Sequence, residues 1–174
     1  MSQQKPVIST AFSYETFEET LDIKPKGAKL HIGIPKETAF QENRVALTPD
    51  AVSVLVSNGH EVTIEHNAGE AAHFGDRDYS EAGARIVYQH EDVFKAPILV
   101  KSAPVIEDDL PLLQLNQMII SPIHLTALKA ELLQKMMEKR ITAISFENLK
   151  DDSGTYPIVR SMSEIAGSAS MLIA

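Results

Sequence analysis

The stretch Leu30-His31-Ile32-Gly33-Ile34 decides the fold class of this chain. It is a short, mainly apolar run of the kind that forms a buried β-strand, and similar runs then alternate with segments of helical periodicity. Such alternation is typical of βα units that build a mostly parallel sheet. The six predicted strands are Leu30 to Ile34, Glu61 to Glu65, Arg85 to Tyr88, Ile98 to Lys101, Met118 to Ser121 and Ile141 to Phe146.

Two helices between these strands are well marked. The first follows Thr48, whose side chain can cap a helix that begins at Pro49, and Gly59 suits its end. In the second, from Leu125 to Arg140, leucine and methionine recur at helical spacing and the last residues are basic. The sequence therefore predicts an α/β fold with a Rossmann-like, mostly parallel sheet flanked by helices.

The sequence lacks the usual turns that bind nucleotide phosphates. No Gly-x-Gly-x-x-Gly turn follows any predicted strand, and no Walker-type loop is present. Both kinds of turn hold phosphates against backbone N–H groups at the start of a helix. A Rossmann-like sheet without such a dinucleotide-binding turn need not bind a nucleotide.

The chain divides into three segments. Residues 1–28 form an N-terminal extension of weak periodicity, in which Tyr14 to Leu21 could form a short helix. Residues 29–160 contain all six predicted strands. Residues 161–174 show a helical pattern rich in small residues with no carboxyl-terminal cap, so we expect the chain to be truncated inside a helix.

Composition excludes several classes of function. With 24 acidic and 16 basic residues the formal charge is -8, which offers no broad basic surface for nucleic acid. The absence of cysteine excludes disulfides, a thiol nucleophile and thiolate metal sites. No apolar run resembles a secretory signal or a membrane span. We expect a cytoplasmic protein that has no metal site and no nucleic-acid or membrane partner.

Two motifs near the start of the predicted sheet resemble a known family. Ile-Gly-Ile-Pro-Lys-Glu-Thr at residues 32–38 and Glu-Asn-Arg-Val-Ala-Leu-Thr-Pro at residues 42–49 are similar to the opening of alanine dehydrogenases and of the alpha subunit of proton-translocating transhydrogenases. The resemblance spans nearly everything from Lys29 onward. It continues through Gly59 to Val62, Asn67 to Glu70, Phe74, Asp78-Tyr79, Ala82 to Ala84 and Met162 to Gly167.

Two features separate the branches of this family. Alanine dehydrogenases typically carry a histidine followed by leucine near the fifth strand, and Ile123-His124-Leu125 stands in that place. Transhydrogenases usually lack the histidine and have an Arg-Ala-Gln loop where this chain has Gly154-Thr155-Tyr156. The resemblance is therefore closer to the alanine dehydrogenase branch.

The resemblance implies an enzyme of which this chain is one part. Residues 29–160 would be the substrate-side catalytic domain, and residues 161–174 would begin the helix that links it to an absent NAD-binding domain. The full-length parent would use NAD, bound mainly by that domain, to convert L-alanine to pyruvate and ammonia. We expect it to be a homo-oligomer and this piece alone to be inactive.

Three alternatives stay open. The parent could be a transhydrogenase soluble subunit, a saccharopine dehydrogenase-like enzyme for another small amino or keto acid, or a non-catalytic relative that kept the fold. The altered lysine segment around Lys101, described below, keeps the second and third alternatives open.

Arg44 and His124 are the leading candidate site residues. A guanidinium can hold a carboxylate through two parallel hydrogen bonds, and the resemblance implies that Arg44 binds the substrate in this way. Without the motif, a solvated arginine paired with Glu42 would be the better interpretation. The resemblance implies that His124, at the carboxyl edge of the sheet, is the catalytic acid and base.

Lys101 is a second candidate for substrate binding. Family members usually have Lys-Val-Lys-Glu-Pro, whose second lysine helps to bind substrate, whereas this chain reads Val-Lys-Ser-Ala-Pro at residues 100–104. An ungapped alignment puts Ser102 in place of that lysine, and one step along a strand turns a side chain to the opposite face. The alternative is a surface lysine at a sheet edge.

Three later residues complete the candidate set. Glu147 matches a recurrent glutamate of the family and could equally be a structural acceptor. Met162 and Ser163 resemble the segment that borders the nicotinamide, so they are predicted cofactor-binding contacts. Ser163 could instead be an N-terminal cap of the last helix.

Overall fold

The protein is described by a computed structural model that covers residues 27–123 and 129–173. Six strands and five helices lie in these two ranges, together with short 3-10 turns. In chain order they are β1 His31–Ile34, α1 Pro49–Ser57, β2 Glu61–Glu65, α2 Asp76–Glu81, β3 Arg85–Val87, α3 His90–Val93, β4 Ile98–Val100, β5 Met118–Ser121, α4 Ala130–Glu138, β6 Thr142–Ser145 and α5 Pro157–Ile173. The predicted helix at residues 14–21 lies outside the described residues.

The strands form one six-stranded sheet in the order β3-β2-β1-β4-β5-β6. Every adjacent pair is parallel, from β1 beside β2 to β5 beside β6. This arrangement confirms the predicted fold class. The strand order reverses between β1 and β4, and in open parallel sheets such a switch point leaves a crevice at the carboxyl ends of the strands.

Two apolar clusters hold the helices on the sheet. One joins α1 and α2 to β1 and β2, and Val52 and Tyr79 within it are fully buried. Tyr79 donates a hydrogen bond of 2.8 Å to the carbonyl of Leu47, while its burial raises the phenol pKa to about 12. The other cluster joins α3 and α4 to β4 and β5 around the buried Phe94, Leu99 and Ile119.

Most element boundaries agree with the predicted pattern, but the helix predicted from Leu125 to Arg140 is shorter: α4 spans Ala130–Glu138 after an extended Lys129, and residues 125–128 lie outside the described residues. Thr48 caps α1 as predicted, because its hydroxyl accepts a hydrogen bond from the Ala51 N–H. The last helix begins at Pro157, four residues before the predicted start, because proline fits the first turn of a helix as readily as it fits a loop. The alternative role of Ser163 as a helix cap is therefore wrong.

Lys139 has a second role besides the one that its position in the sequence predicts. It was expected to suit the helix end through its charge, and it does occupy the cap position after α4. Its ammonium also donates hydrogen bonds of 2.7 Å to the carbonyls of Leu110 and Leu113. The lysine thus ties the end of α4 to the chain between β4 and β5.

Gly33 lets α3 approach the centre of the sheet. A Cβ atom at this position would lie 2.6 Å from the Val93 carbonyl oxygen and 2.9 Å from the Ala96 Cβ. Backbone atoms cannot give way as a flexible side chain can, so only glycine fits in the middle of β1. The position matters for the site because β1 leads directly into the crevice.

Gly33→Ala is expected to destabilise the protein by about 1–3 kcal/mol, since the added methyl overpacks a backbone contact. Gly167→Ala in α5 is the matched control, because nothing lies within 4 Å of its added Cβ. Alanine also favours a helix interior over glycine. Urea unfolding of both variants tests the prediction, and equal midpoints would contradict it.

Candidate functional site

The crevice at the switch point is closed by side chains that follow β1 and β4. Glu37 lies three residues beyond the end of β1, and Lys101 and Ser102 come directly after β4. All three side chains are buried, and each of the two later residues contacts the same Glu37 carboxylate. The loop that carries Arg44 leaves the same end of β1, so the predicted arginine and lysine reach one edge of the sheet.

Arg44 presents its guanidinium at a polar cavity. Its Nε and Nη2 atoms donate hydrogen bonds of 2.8 and 2.6 Å to the two oxygens of Glu42. The arginine side chain is 55% exposed, and a cavity of about 340 Å³ opens beside it, with Lys36, Asn67 and Glu70 in its wall. The Arg44–Glu42 ion pair is the exposed arrangement that the sequence analysis gave as the alternative to substrate binding. It also shows that the Arg44 guanidinium can hold a carboxylate through two parallel hydrogen bonds.

Pairing shifts both pKa values in the direction of the charged forms. The hydrogen bond from Arg44 is the largest influence on Glu42 and holds the pKa of that carboxyl below its ordinary value. The same bond raises the pKa of the Arg44 guanidinium. Because the Glu42 pKa is lower in the folded protein, ionised Glu42 stabilises the fold at pH values above the ordinary carboxyl pKa. This contribution is lost as the pH falls through the lowered pKa.

Removing the guanidinium should raise the pKa of Glu42 toward that of a free glutamate. The expected measurement is an NMR titration of the side-chain carboxyls in the native chain and in Arg44→Ala. Glu61, whose pKa is lowered by an exposed Lys29, is an internal control that should not change. A Glu42 titration identical in both proteins would show that the pair does not form in solution.

Lys101 lies at the centre of a buried ionic cluster. Its side chain is 2% exposed, and its ammonium lies 3.0 Å from Asp109 Oδ2 and 3.3 Å from Glu37 Oε2. The contact with Glu37 is an ion pair outside hydrogen-bond geometry. β4 is a central strand, so the alternative of a surface lysine at a sheet edge is wrong. The ammonium is already shared between two carboxylates.

The strand-alternation argument about Lys101 and Ser102 also fails, for a local reason. β4 ends at Val100, so both residues lie beyond the pleated strand. Lys101 reaches one oxygen of Glu37, while the Ser102 and Ala103 N–H groups donate to the other at 2.6 and 3.1 Å. The Glu37 carboxylate therefore contacts both Lys101 and Ser102, which are the two positions that could correspond to the lysine of the family motif.

Lys101→Met is expected to destabilise the protein by about 3–5 kcal/mol, because it leaves two buried carboxylates without their cation. Lys95→Met is the control, since Lys95 is 69% exposed and pairs with Asp92 at the surface. An exposed pair of this kind contributes about 0–1 kcal/mol. Similar losses in the two variants, measured by urea unfolding, would contradict the buried cluster.

A histidine extends the cluster toward β2. His90 Nδ1 lies 2.7 Å from Glu65 Oε2, and its Nε2 lies 4.0 Å from Asp109 Oδ1. Glu65 also accepts a hydrogen bond of 2.8 Å from the Lys36 N–H. Sequence reasoning missed His90, Glu65 and Asp109. Glu65 ends a predicted strand and so lies at the carboxyl edge, but nothing marked Asp109 within its acidic run.

The remaining predicted site residues are less completely placed. His124 belongs to residues 124–128, which lie outside the described residues, so its meeting with Arg44 is untested. Glu147 lies in a 3-10 turn directly after β6, at the carboxyl edge of the sheet. Met162 and Ser163 lie on α5 and are exposed. No three metal-binding side chains cluster in residues 27–123 and 129–173.

The α5 helix leaves much of its apolar surface open. Ile165, Met171 and Leu172 are at least 71% exposed, and within the described ranges α5 packs mainly against the 3-10 turn after β6. It is nevertheless too short or too polar to cross a bilayer, as is every other helix in the described ranges.

Comparison with known proteins places the chain in a family. The family model for the alanine dehydrogenase/PNT N-terminal domain matches residues 33–166. Alanine dehydrogenase of Staphylococcus epidermidis is 36% identical over 138 residues, which are 79% of this chain and 37% of that protein. Alanine dehydrogenase 2 of Staphylococcus aureus is 35% identical over 138 residues, which are also 79% of this chain and 37% of that protein.

Solved structures agree with this placement. An L-alanine dehydrogenase superposes with a TM-score of 0.75 at 38% identity, over 79% of this chain and 38% of the other. A transhydrogenase from Sinorhizobium meliloti gives 0.62 at 25% identity, over 67% and 35%. The chain spans well under half the length of these relatives. It belongs to the alanine dehydrogenase/PNT N-terminal domain family and is more similar to the alanine dehydrogenase branch.

Proposed function

We propose that this chain is the substrate-side part of a cytoplasmic, NAD-dependent alanine dehydrogenase that interconverts L-alanine with pyruvate and ammonia. The observation that carries the proposal is the Arg44 fork, which holds a carboxylate at a cavity on the carboxyl edge of the sheet. The chain that contains this fork is 36% identical to an alanine dehydrogenase.

Arg44 would bind and orient the carboxylate that alanine and pyruvate share. Glu42 occupies the fork in the described structure, so a substrate would replace one carboxylate by another with the same two-bond geometry. The Arg44 guanidinium would therefore be paired with a carboxylate both before and after the substrate binds. The cavity wall also carries Glu70, whose charge suits the ammonium group of an amino acid.

His124 would handle protons at the reacting carbon. The proposal is supported by its place in the chain, three residues after β5, whose carboxyl end lies at the same sheet edge as the ends of β1 and β4. An imidazole titrates near neutral pH, which suits removal of a proton from water or from a carbinolamine oxygen and its return. Lys101 remains a proposed substrate contact, although its ammonium would have to leave two carboxylates.

The described residues do not fit the phosphates of NAD. The crevice where a dinucleotide would bind contains the buried carboxylates of Glu37 and Asp109, which repel phosphate, and Pro-Lys-Glu replaces a glycine-rich turn after β1. We therefore propose that NAD binds mainly to a part of the protein outside this chain. Met162 and Ser163, exposed on α5, are the proposed contacts on this side.

The exposed apolar side chains of α5 support a larger assembly. An apolar surface of this kind favours contact with another protein surface. We propose that the rest of the longer protein covers α5 and that the full-length protein is a homo-oligomer.

A transhydrogenase soluble subunit is the second candidate, because the Sinorhizobium meliloti structure shares the fold at 25% identity. Such a protein would transfer hydride between two nucleotides and would need no amino-acid carboxylate. Assay of the longer protein with each substrate pair separates the two candidates.

In the longer protein that contains this chain, Arg44→Lys is expected to raise the KM for both alanine and pyruvate about tenfold to a hundredfold, because one point charge replaces a two-bond fork. His124→Gln should instead lower kcat about 10²- to 10⁴-fold. Formation of the reduced nicotinamide measures both effects. The 174-residue chain alone should show no turnover.

Arg77→Lys is the matched control, since Arg77 is 88% exposed on α2 and pairs only with Glu81 among the described residues. It should leave both constants unchanged. Native kinetics in both Arg44→Lys and His124→Gln, or a native protein that does not oxidise alanine, would reject the proposed function.

A further inference from the structure

We infer that Ser102 is a positioning residue that fixes the main chain of Arg44 and so aims its guanidinium at the substrate carboxylate. The inference rests on the proposed function in one respect, namely that Arg44 binds the substrate. It adds a role for a residue that was not among the candidate site residues.

The Ser102 hydroxyl connects two parts of the site. Its Oγ lies 3.1 Å from the Arg44 carbonyl oxygen and 3.4 Å from Glu37 Oε1. A hydroxyl has one hydrogen to donate, and the nearer acceptor is the Arg44 carbonyl. Ser102 is 8% exposed, so water competes little for this bond.

Ser102 is itself held firmly. Its N–H donates a hydrogen bond of 2.6 Å to Glu37 Oε1, and that carboxylate is paired with the buried Lys101 through its other oxygen. Lys101 is anchored in turn by Asp109 at 3.0 Å. The hydroxyl therefore projects from a rigid ionic cluster toward a loop that lacks such support.

The Arg44 loop has few other ties. Its remaining hydrogen bonds within residues 38–46 are local, from the Glu42 N–H to the Ala39 carbonyl and from Arg44 to Glu42. In the described chain, the bond from Ser102 is thus the hydrogen bond that joins this stretch to the sheet. Directly after Arg44, Val45 and Ala46 pack against an apolar cluster.

Fixing the main chain matters because the guanidinium is at the end of a long side chain. A small displacement of the backbone carries over to the fork and weakens its two hydrogen bonds to the substrate carboxylate, because such bonds depend on distance and angle. Apolar contacts of the following residues hold the loop down but do not set its direction, because they are not directional. The hydroxyl supplies a directional contact at Arg44 itself, while the hydrogen bond from Tyr79 to the Leu47 carbonyl fixes the chain three residues farther on.

The test is a double-mutant cycle of Ser102→Ala and Arg44→Lys in the longer protein. Ser102→Ala is expected to raise the KM for alanine and pyruvate about fivefold with little change in kcat, as expected for one hydrogen bond. In the Arg44→Lys background the same change should have almost no further effect, because a residue that acts through Arg44 loses its influence when the fork is gone.

Hydrogen exchange gives a readout that does not depend on substrate. Ser102→Ala should accelerate amide exchange in residues 38–46 and leave exchange in β1 and β4 unchanged. Ser57→Ala is the matched control, since Ser57 also donates to a backbone carbonyl, at 2.9 Å, but at the exposed end of α1. It should alter neither KM nor exchange in this loop.

The outcomes separate the two proposals. If Arg44→Lys raises KM and Ser102→Ala does not, the proposed function stands and the positioning role is wrong. That role would also be overturned if Ser102→Ala left amide hydrogen exchange in residues 38–46 unchanged. The same holds if Ser102→Ala raised KM by the same factor in the native and Arg44→Lys backgrounds. If Arg44→Lys itself leaves KM unchanged, the substrate role of Arg44 fails, and the aiming role of Ser102 fails with it.

Discussion

The site depends on one ammonium group between two buried carboxylates. Lys101 follows β4, Glu37 follows β1, and Asp109 lies on the connection to β5, so their contacts tie three parts of the chain together at the point where the strand order reverses. Charges without water must be paired, which makes this arrangement intolerant of the loss of any member. The carboxylates are further satisfied by N–H groups of Ser102, Ala103 and Ile106.

The same cluster explains why the crevice is unsuited to a dinucleotide. In sheets of this order, phosphates usually approach the first strand end over glycines and against helix N–H groups. Here the first strand leads to a buried glutamate, and the available cation, Lys101, is already neutralised. The Arg44 guanidinium lies farther out, where it holds the Glu42 carboxylate through two bonds, and this geometry supports the proposed binding of a small carboxylate at the rim rather than a pyrophosphate in the crevice.

The sequence predicted the class of fold and the edge at which the site lies. Periodicity located all six strands to within one or two residues, because apolar runs and their spacing are local properties of the chain. Arg44 and Lys101 reach the carboxyl edge in the folded chain, whereas the sequence placed only His124 there. The sequence did not predict Ser102 as a contact of the Arg44 carbonyl, since those residues are 58 positions apart and share no local pattern.

Local chemistry by itself thus determined the parallel α/β architecture and the cap at Thr48, whereas the need for glycine at position 33 arises from the approach of Val93 and Ala96. Only the tertiary structure decided how the charged groups are used. On sequence grounds Lys101 could be a substrate contact or a surface residue, and it is burial beside Glu37 and Asp109 that excludes the surface position and pairs the ammonium with two carboxylates. The physical reason is that the state and partners of a charge depend on the groups brought near it from distant segments, which no local spacing encodes.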